Sequence, residues 1–349
     1  MLRPIRALFV TYGVTSYSPS KPSMMGVLKR CVRIITQLPR GMVEPHLLHF
    51  GGIPQEDPLL CSLLPRIPQH LLGFGHPRLE LSRLYRRLSP DAVILGEGPC
   101  AGLMAAAYES ARDLGVRLVC IENLYRSDQP DRYTRDTPAV DQWLLLGLPI
   151  GHRYGRISPN AVLVPPLLST PSVHSGSVTL TILGYDRRAA ELGLDLMERL
   201  PSAATARLVI SSEQQRTIAL RTRDGRVSVV TLPSERDLAA YLRSSQIVVC
   251  KSGFQQIVES LAVGTPVITY EAAGGIPEAW LAPELRPFVR YIPTEGSNWC
   301  PVLSAAALWL ARRPAMPWGT ELARVPSPPR FAARWLAALL RVTPIAWQT

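Results

Sequence analysis

Negative charge is missing from the start of this chain: residues 1–43 contain no Asp, Glu or His. Over the same stretch Arg3, Arg6, Lys21, Lys29, Arg30, Arg33 and Arg40 supply seven positive charges, so an anion is expected nearby unless they form a solvated helix face. Cysteine is sparse. Cys31, Cys61, Cys100, Cys120, Cys250 and Cys300 form no CxxC pair, which argues against a disulfide framework or a metal site and for reduced, buried thiols. Aromatic residues make up 7%, and no RNA-binding motif or stacking platform accompanies the arginines, so no nucleic-acid partner is expected. No run approaches the ~18 to 20 apolar residues of a membrane span, and the short apolar run after Arg6 lacks a signal-peptide core. The expectation is a cytoplasmic protein, with peripheral contact to an anionic membrane as the one membrane role left open.

At 349 residues the chain is too long for one ordinary core and fits two domains of about 150 residues each. Hydrophobic residues at 47% suffice to fill both. Lys and Arg number 38 against 27 Asp and Glu, a net charge of +11 that implies an anionic partner. Charge alone does not choose its chemistry.

The most informative stretch runs from Gln246 to Tyr270. Ile247, Val248, Val249 and Cys250 suit a strand buried on both faces, and Lys251, Ser252 and Gly253 form a tight polar turn. A helix follows with Ile257, Leu261 and Ala262 on one face, Gly264 stands at its left-handed end, and Pro266 opens the next strand. The turn of such a βαβ unit offers unpaired helix N-terminal amides to a phosphate. Glu259, six residues after Gly253, can accept hydrogen bonds from the two vicinal hydroxyls of a sugar. The alternative is an ordinary βαβ unit with a small turn and a surface glutamate.

The string VVCKSGFQQIVESLAVGTPVI resembles the donor-binding segment of GT-B glycosyltransferases, closest to the MurG family, which adds N-acetylglucosamine during peptidoglycan assembly. That resemblance implies an α/β fold of two facing Rossmann-like domains, each with a parallel sheet, about a deep interdomain cleft. Residues 1–165 would form the acceptor-side domain and 166–349 the donor-binding domain, with the final helix packing back toward the first. Within the donor domain Ser252 and Gly253 would lie near the diphosphate and Glu259 would hold the ribose. Gly184 would touch the donor phosphates, backbone near Leu232 would read the base, and Gly275 and Glu278 would grip the sugar. No cofactor is implied beyond a nucleotide-sugar co-substrate, with UDP as its nucleotide.

Residues 91–122 carry a second glycine-rich unit. It resembles the dinucleotide fold of flavin and nicotinamide enzymes, with Glu122 as the ribose acid, but its glycines at 96, 98 and 102 are one residue too wide and Ala101 holds the third position. It also resembles the MurG-type acceptor side, in which the glycine-rich loop and the strand end Ile121, Glu122, Asn123 line the site. On that reading Lys21, Glu122 and Asn123 bind an acceptor that is anionic, a lipid or a small natural product. The loop before residue 24 has no His, where the family commonly carries one, so Glu97 becomes the candidate base; an acceptor already deprotonated, or lost catalysis, are the other readings. With no Asp-x-Asp motif the transfer is expected to be metal-independent, and the resemblance favours inversion. Competing functions are a UDP-sugar epimerase or hydrolase, a non-catalytic sugar-nucleotide-binding subunit, and an FAD or NAD oxidoreductase.

Four readings of local structure complete the picture. The segment from the strand near residue 50 to His76 reads as a surface loop, and residues 147–176 read as an interdomain linker. The helix at 77–88 is basic and amphipathic, with Leu79, Leu84 and Leu88 as its apolar side and Leu81 on the flank. The last helix presents Phe331, Trp335 and Leu339 as its buried stripe.

Overall fold

A computed structural model describes residues 3–12, 25–50, 64–72, 77–99, 102–124, 139–168, 178–184, 204–210, 225–231, 235–270, 276–292, 316–325 and 327–341. The chain divides into two compact units, Met1–Leu167 with Ser327–Thr349, and Leu168–Pro326.

Unit 1 is built on β1 (Ile5–Tyr12), β2 (Val43–Phe50), β3 (Gln69–Leu72), β4 (Ala92–Leu95), β5 (Arg117–Asn123), β6 (Gln142–Leu146), β7 (Gly155–Ser158) and β8 (Ala161–Val164). Among the described residues these eight strands lie in the order β3-β2-β1-β4-β5-β6-β8-β7. All pair in parallel except β7 with β8. Alternation along β1 sends Ala7 and Phe9 to one face and Leu8 and Val10 to the other, and all four are fully buried. The first face is covered by α1 (Met25–Ile35) through Leu28, Val32 and Ile35, and by the C-terminal helix. The second is covered by α2 (Pro77–Leu88) through Leu81 and Leu84, and by α3 (Gly102–Asp113) through Leu103 and Met104.

Several local expectations are corrected here. The stretch read as a surface loop contains β3, which pairs with β2 at Leu48 and His70; four residues are too few for alternation to show in sequence. The supposed linker contains β7 and β8, whose turn at Pro159 and Asn160 sits among the glycines and prolines that masked them. In α2 it is Leu81, Leu84, Tyr85 and Leu88 that are buried, while Leu79 is half exposed.

Unit 2 carries β9 (Val178–Gly184), β10 (Ala206–Ile210), β11 (Val227–Thr231), β12 (Ser245–Lys251), β13 (Val267–Tyr270) and β14 (Val289–Ile292). Its described strands are all parallel and run β11-β10-β9-β12-β13-β14. Helix α4 (Glu235–Arg243) precedes β12, and α5 (Phe254–Ala262) joins β12 to β13. Gly264 takes φ +88 just beyond α5, the left-handed ending the sequence indicates. A short helix α6 (Gly319–Ala323) follows Trp318, whose indole N–H donates to the Leu261 carbonyl at 3.0 Å.

The C-terminal helix α7 (Pro328–Arg341) is part of unit 1. Its buried side includes Ala332, Ala333, Leu336, Ala337, Leu339 and Leu340, with Phe331 and Trp335 partly buried and packed against the core. Arg117 Nη1 closes its end by donating to the carbonyls of Leu339 and Leu340 at 2.8 and 3.0 Å. Removing the fully buried Leu336 side chain should therefore cost unit 1 about 2 to 5 kcal/mol. Urea unfolding of Leu336→Ala measures this, and an unmoved midpoint would mean that α7 contributes nothing to the core.

Candidate functional site

In unit 2 the strand order reverses between β9 and β12, the place where an open parallel sheet leaves a crevice at its carboxyl edge. The register that sets Val249 beside Ile182 carries on two residues to bring Gly184 and Lys251 level at that edge. Ser252 and Gly253 follow directly. The Ser252 N–H donates to the Tyr270 carbonyl at 2.9 Å and the Gly253 N–H to the Lys251 carbonyl at 2.6 Å. Both of these amides are used in closing the turn itself. A ligand at this edge would meet the first turn of α5, whose amides have no intrahelical acceptor and whose N-cap, Gly253, contributes no side-chain cap.

Gly253 has φ −74, a value open to any residue, so space and not backbone freedom explains it. A Cβ there would stand 3.1 Å from Gln256 Oε1. Ser252 is 1% exposed and its carbonyl accepts from the Ile276 N–H at 2.7 Å. Tyr291 OH in turn donates to the Ile276 carbonyl at 3.2 Å, which fastens the segment leading to Glu278 against the turn. Glu278 itself is exposed at the start of a short 3-10 turn. Gly184 closes β9. Leu232, Gly275 and Lys21 lie outside the described residues.

Glu259 is 5% exposed, and its Oε1 accepts from Gln255 Nε2 at 2.9 Å. Sequence reasoning missed Gln255, although its i, i+4 spacing to Glu259 on one helix was the available signal. A buried carboxylate held by a neutral amide keeps its acceptor character, since a carboxylate accepts at about four positions.

In unit 1 the reversal falls between β1 and β4, where the Gly96 N–H donates to the Val10 carbonyl at 2.9 Å. A Cβ at Gly96 would meet Val27 Cγ1 at 2.8 Å and Cys31 Sγ at 2.9 Å, so α1 is pressed directly onto the loop that carries Glu97. Glu122, 8% exposed, accepts from the Gly98 N–H at 2.8 Å and from the Asn123 N–H at 2.7 Å. Its Oε2 thus ties the glycine-rich loop to the end of β5, while Oε1 takes the next amide of its own strand. Burial pushes the Glu97 carboxyl above its ordinary value, the neighbouring Glu122 adds to that, and Arg30 pulls it partly back. Arg30, one of the seven N-terminal charges, is 5% exposed, and among the described residues its Nε and Nη1 have no hydrogen-bond partner.

Other expectations of charge and thiol are resolved alongside. Arg3 pairs with Asp91 at 2.6 Å, and Arg6 faces Glu44 at 3.5 Å, so two of the seven N-terminal charges serve the amino end of β1. Cys31, Cys120 and Cys250 are free and buried, and burial pushes the thiols of Cys31 and Cys250 up to about 12. Among the described residues no group of His, Cys, Asp and Glu has the arrangement of a metal site, and no helix is long and apolar enough to cross a membrane.

No protein-family model and no curated protein sequence matches the chain. Solved structures do. MurG from Acinetobacter baumannii is similar over 97% of this chain and 100% of its own, at 12% identity and a TM-score of 0.59. The calicheamicin glycosyltransferase CalG4 is similar over 98% and 100%, again at 12% identity and a TM-score of 0.59. The UDP-GlcNAc 2-epimerase of Neisseria meningitidis, solved with UDP-GlcNAc bound, covers 96% and 99% at 13% identity and a TM-score of 0.53. The fold is GT-B. In this GT-B chain both strand-order reversals therefore coincide with the polar turns that the sequence singles out.

The Glu97 environment generates a test that does not depend on substrate. A carboxyl with a raised folded-state value stabilises the fold most while protonated, and that contribution is lost as pH rises from the ordinary 4.5 through the raised value. Glu97→Gln should accordingly be more stable than the parent at neutral pH, with the difference closing in acid. Thermal unfolding across pH checks this, and equal stability near neutral pH would show the carboxylate to be well solvated.

Proposed function

We propose that the protein is a nucleotide-sugar-dependent glycosyltransferase that takes its sugar from a UDP-sugar. The observation that carries this reading is the placement of Ser252, Gly253 and the α5 N-terminus at the strand-order reversal of unit 2, with buried Glu259 further along the same helix. The diphosphate would lie against the first turn of α5, where the helix dipole stabilises the charge that develops on the leaving group. Lys251 stands beside it. Glu259 would accept from the ribose hydroxyls, and Gly184, Leu232, Gly275 and Glu278 would complete the donor side.

Unit 1 would supply the acceptor side through Lys21, Glu122 and Asn123, with Glu122 acting mainly by holding the loop. Glu97 would take the acceptor proton as the acceptor oxygen bonds to the sugar carbon and the diphosphate departs with the electron pair. Its raised carboxyl suits a base that must bind a proton during transfer. The transfer is proposed to invert configuration and to run without a metal, since the sequence carries no Asp-x-Asp motif. A second reading, a UDP-sugar epimerase, is favoured by the similarity to epimerases such as that of Neisseria meningitidis. Incubation with a UDP-sugar alone separates the two, because only an epimerase changes the sugar without an acceptor.

Calorimetric titration with UDP, other nucleoside diphosphates, NAD and FAD, without added metal, tests the donor half. UDP should bind preferentially, and Glu259→Gln should weaken it by about 1 to 3 kcal/mol through loss of a charge-assisted hydrogen bond. Unchanged UDP affinity in that variant, or binding of NAD or FAD instead, would overturn the assignment.

A further inference from the structure

Away from both polar turns, a cavity of about 440 Å³ opens in unit 1 between β3 and α2, within the size range of small-ligand sites. Its polar lining is Gln69, His70, Glu80, Arg83 and Arg87, with Leu84 and its neighbours as the apolar wall. Two guanidiniums and an imidazole face one carboxylate, so the space favours an anion. We propose that this cavity binds an oxyanion, a phosphate group in particular, together with a proton.

The proton has a defined path. Glu44 Oε1 lies 3.1 Å from His46 Nε2, and His46 Nδ1 lies 3.1 Å from His70 Nε2. The hydrogen bond from His46, with Arg6 nearby, holds the Glu44 carboxyl below its ordinary value, so Glu44 is the acceptor at the end of the chain. With both rings neutral, His46 then donates from Nε2 and accepts at Nδ1 from the Nε2–H of His70. The nitrogen left over is His70 Nδ1, on the ring that lines the cavity. Burial above all, with the charge of Arg87 beside it, holds the His70 imidazole below its ordinary value.

An oxyanion between Arg83 and Arg87 reverses that cationic influence. His70 then takes a proton at Nδ1 and becomes a third donor, which couples binding to proton uptake. The charged and titratable groups around the ring are His46, Glu44 and His49 on β2, Arg6 on β1, and Glu80, Arg83 and Arg87 on α2. Glu80 lines the same cavity and serves as the control for proton uptake outside His70. The inference is independent of the donor reading, since every residue in it belongs to unit 1.

Sulfate is the probe, because it stays dianionic across the range and any pH effect then belongs to the protein. Titration of the full chain at about pH 5.5 and about pH 8, with histidine ring NMR following His70, should show tighter binding in acid. The gain should be about tenfold for each unit by which the anion raises the His70 value. His70→Gln should lose the pH dependence while Glu80→Gln keeps it. Because Arg83 and Arg87 are exposed, Arg83→Gln/Arg87→Gln should fold normally and lose binding at both pH values. Inorganic phosphate competing with sulfate, with no binding to phosphatidic acid vesicles, would assign a soluble phosphate. Vesicle binding lost in the double arginine variant would assign a lipid phosphate. Sulfate affinity that ignores pH, or that survives the double variant, would overturn the proposal.

Discussion

The parallel hydrogen-bond ladder between β9 and β12 is the constraint on which the donor side depends. Connections from these neighbours leave toward opposite faces, because right-handed crossovers allow nothing else when strand order reverses. Gly184 ends one strand and Lys251 the other, and the Ser252–Gly253 turn is closed by its own amides before α5 begins. Four hydrogen bonds within and around the turn, from Ser252, Gly253, Ile276 and Tyr291, make it a rigid platform.

Unit 1 repeats the constraint between β1 and β4 but resolves it with different chemistry. There the loop is held from inside by a carboxylate, since Glu122 takes the Gly98 amide in a hydrogen bond while its other oxygen takes the Asn123 amide of its own strand. The same carboxylate is the negative neighbour that adds to burial in raising the Glu97 carboxyl above its ordinary value. Structural support and electrostatic tuning thus come from one side chain. Gly96 completes the arrangement, because the contact of Val27 and Cys31 leaves no volume for a side chain ahead of Glu97.

What was legible in the sequence follows from the range of the interactions involved. β12, α5 and β13 were readable because Ile247 to Cys250 form a continuous apolar run and Gly264 marks the helix end, both local signals. The hydroxyl, the glycine and Glu259 could be placed on that unit by counting. β3 was hidden because four residues of an edge strand carry little pattern, and Leu71 in it is 66% exposed. The stripe of α7 was legible in part: Leu339 is buried and Phe331 and Trp335 pack against the core, while buried Ala332, Ala333 and Ala337 carry too little hydrophobic weight to show in the pattern. The closing of Ser252 and Gly253 amides onto Tyr270 and Lys251 carbonyls could not be read from residue types at all, since it is backbone geometry.

The N-terminal positive charges show why net charge needs tertiary partners before it predicts a ligand. Arg3 and Arg6 find Asp91 and Glu44, residues far away in sequence, and leave the anion-binding account. Arg30 moves the other way. Taking a guanidinium out of water without a hydrogen-bonding partner is costly, and its Nε and Nη1 have none among the described residues. Part of that cost is offset by Glu97, whose charged form Arg30 favours. The charge of Glu97 is therefore contested: burial and Glu122 oppose its ionised form, while the fixed charge of buried Arg30 favours it.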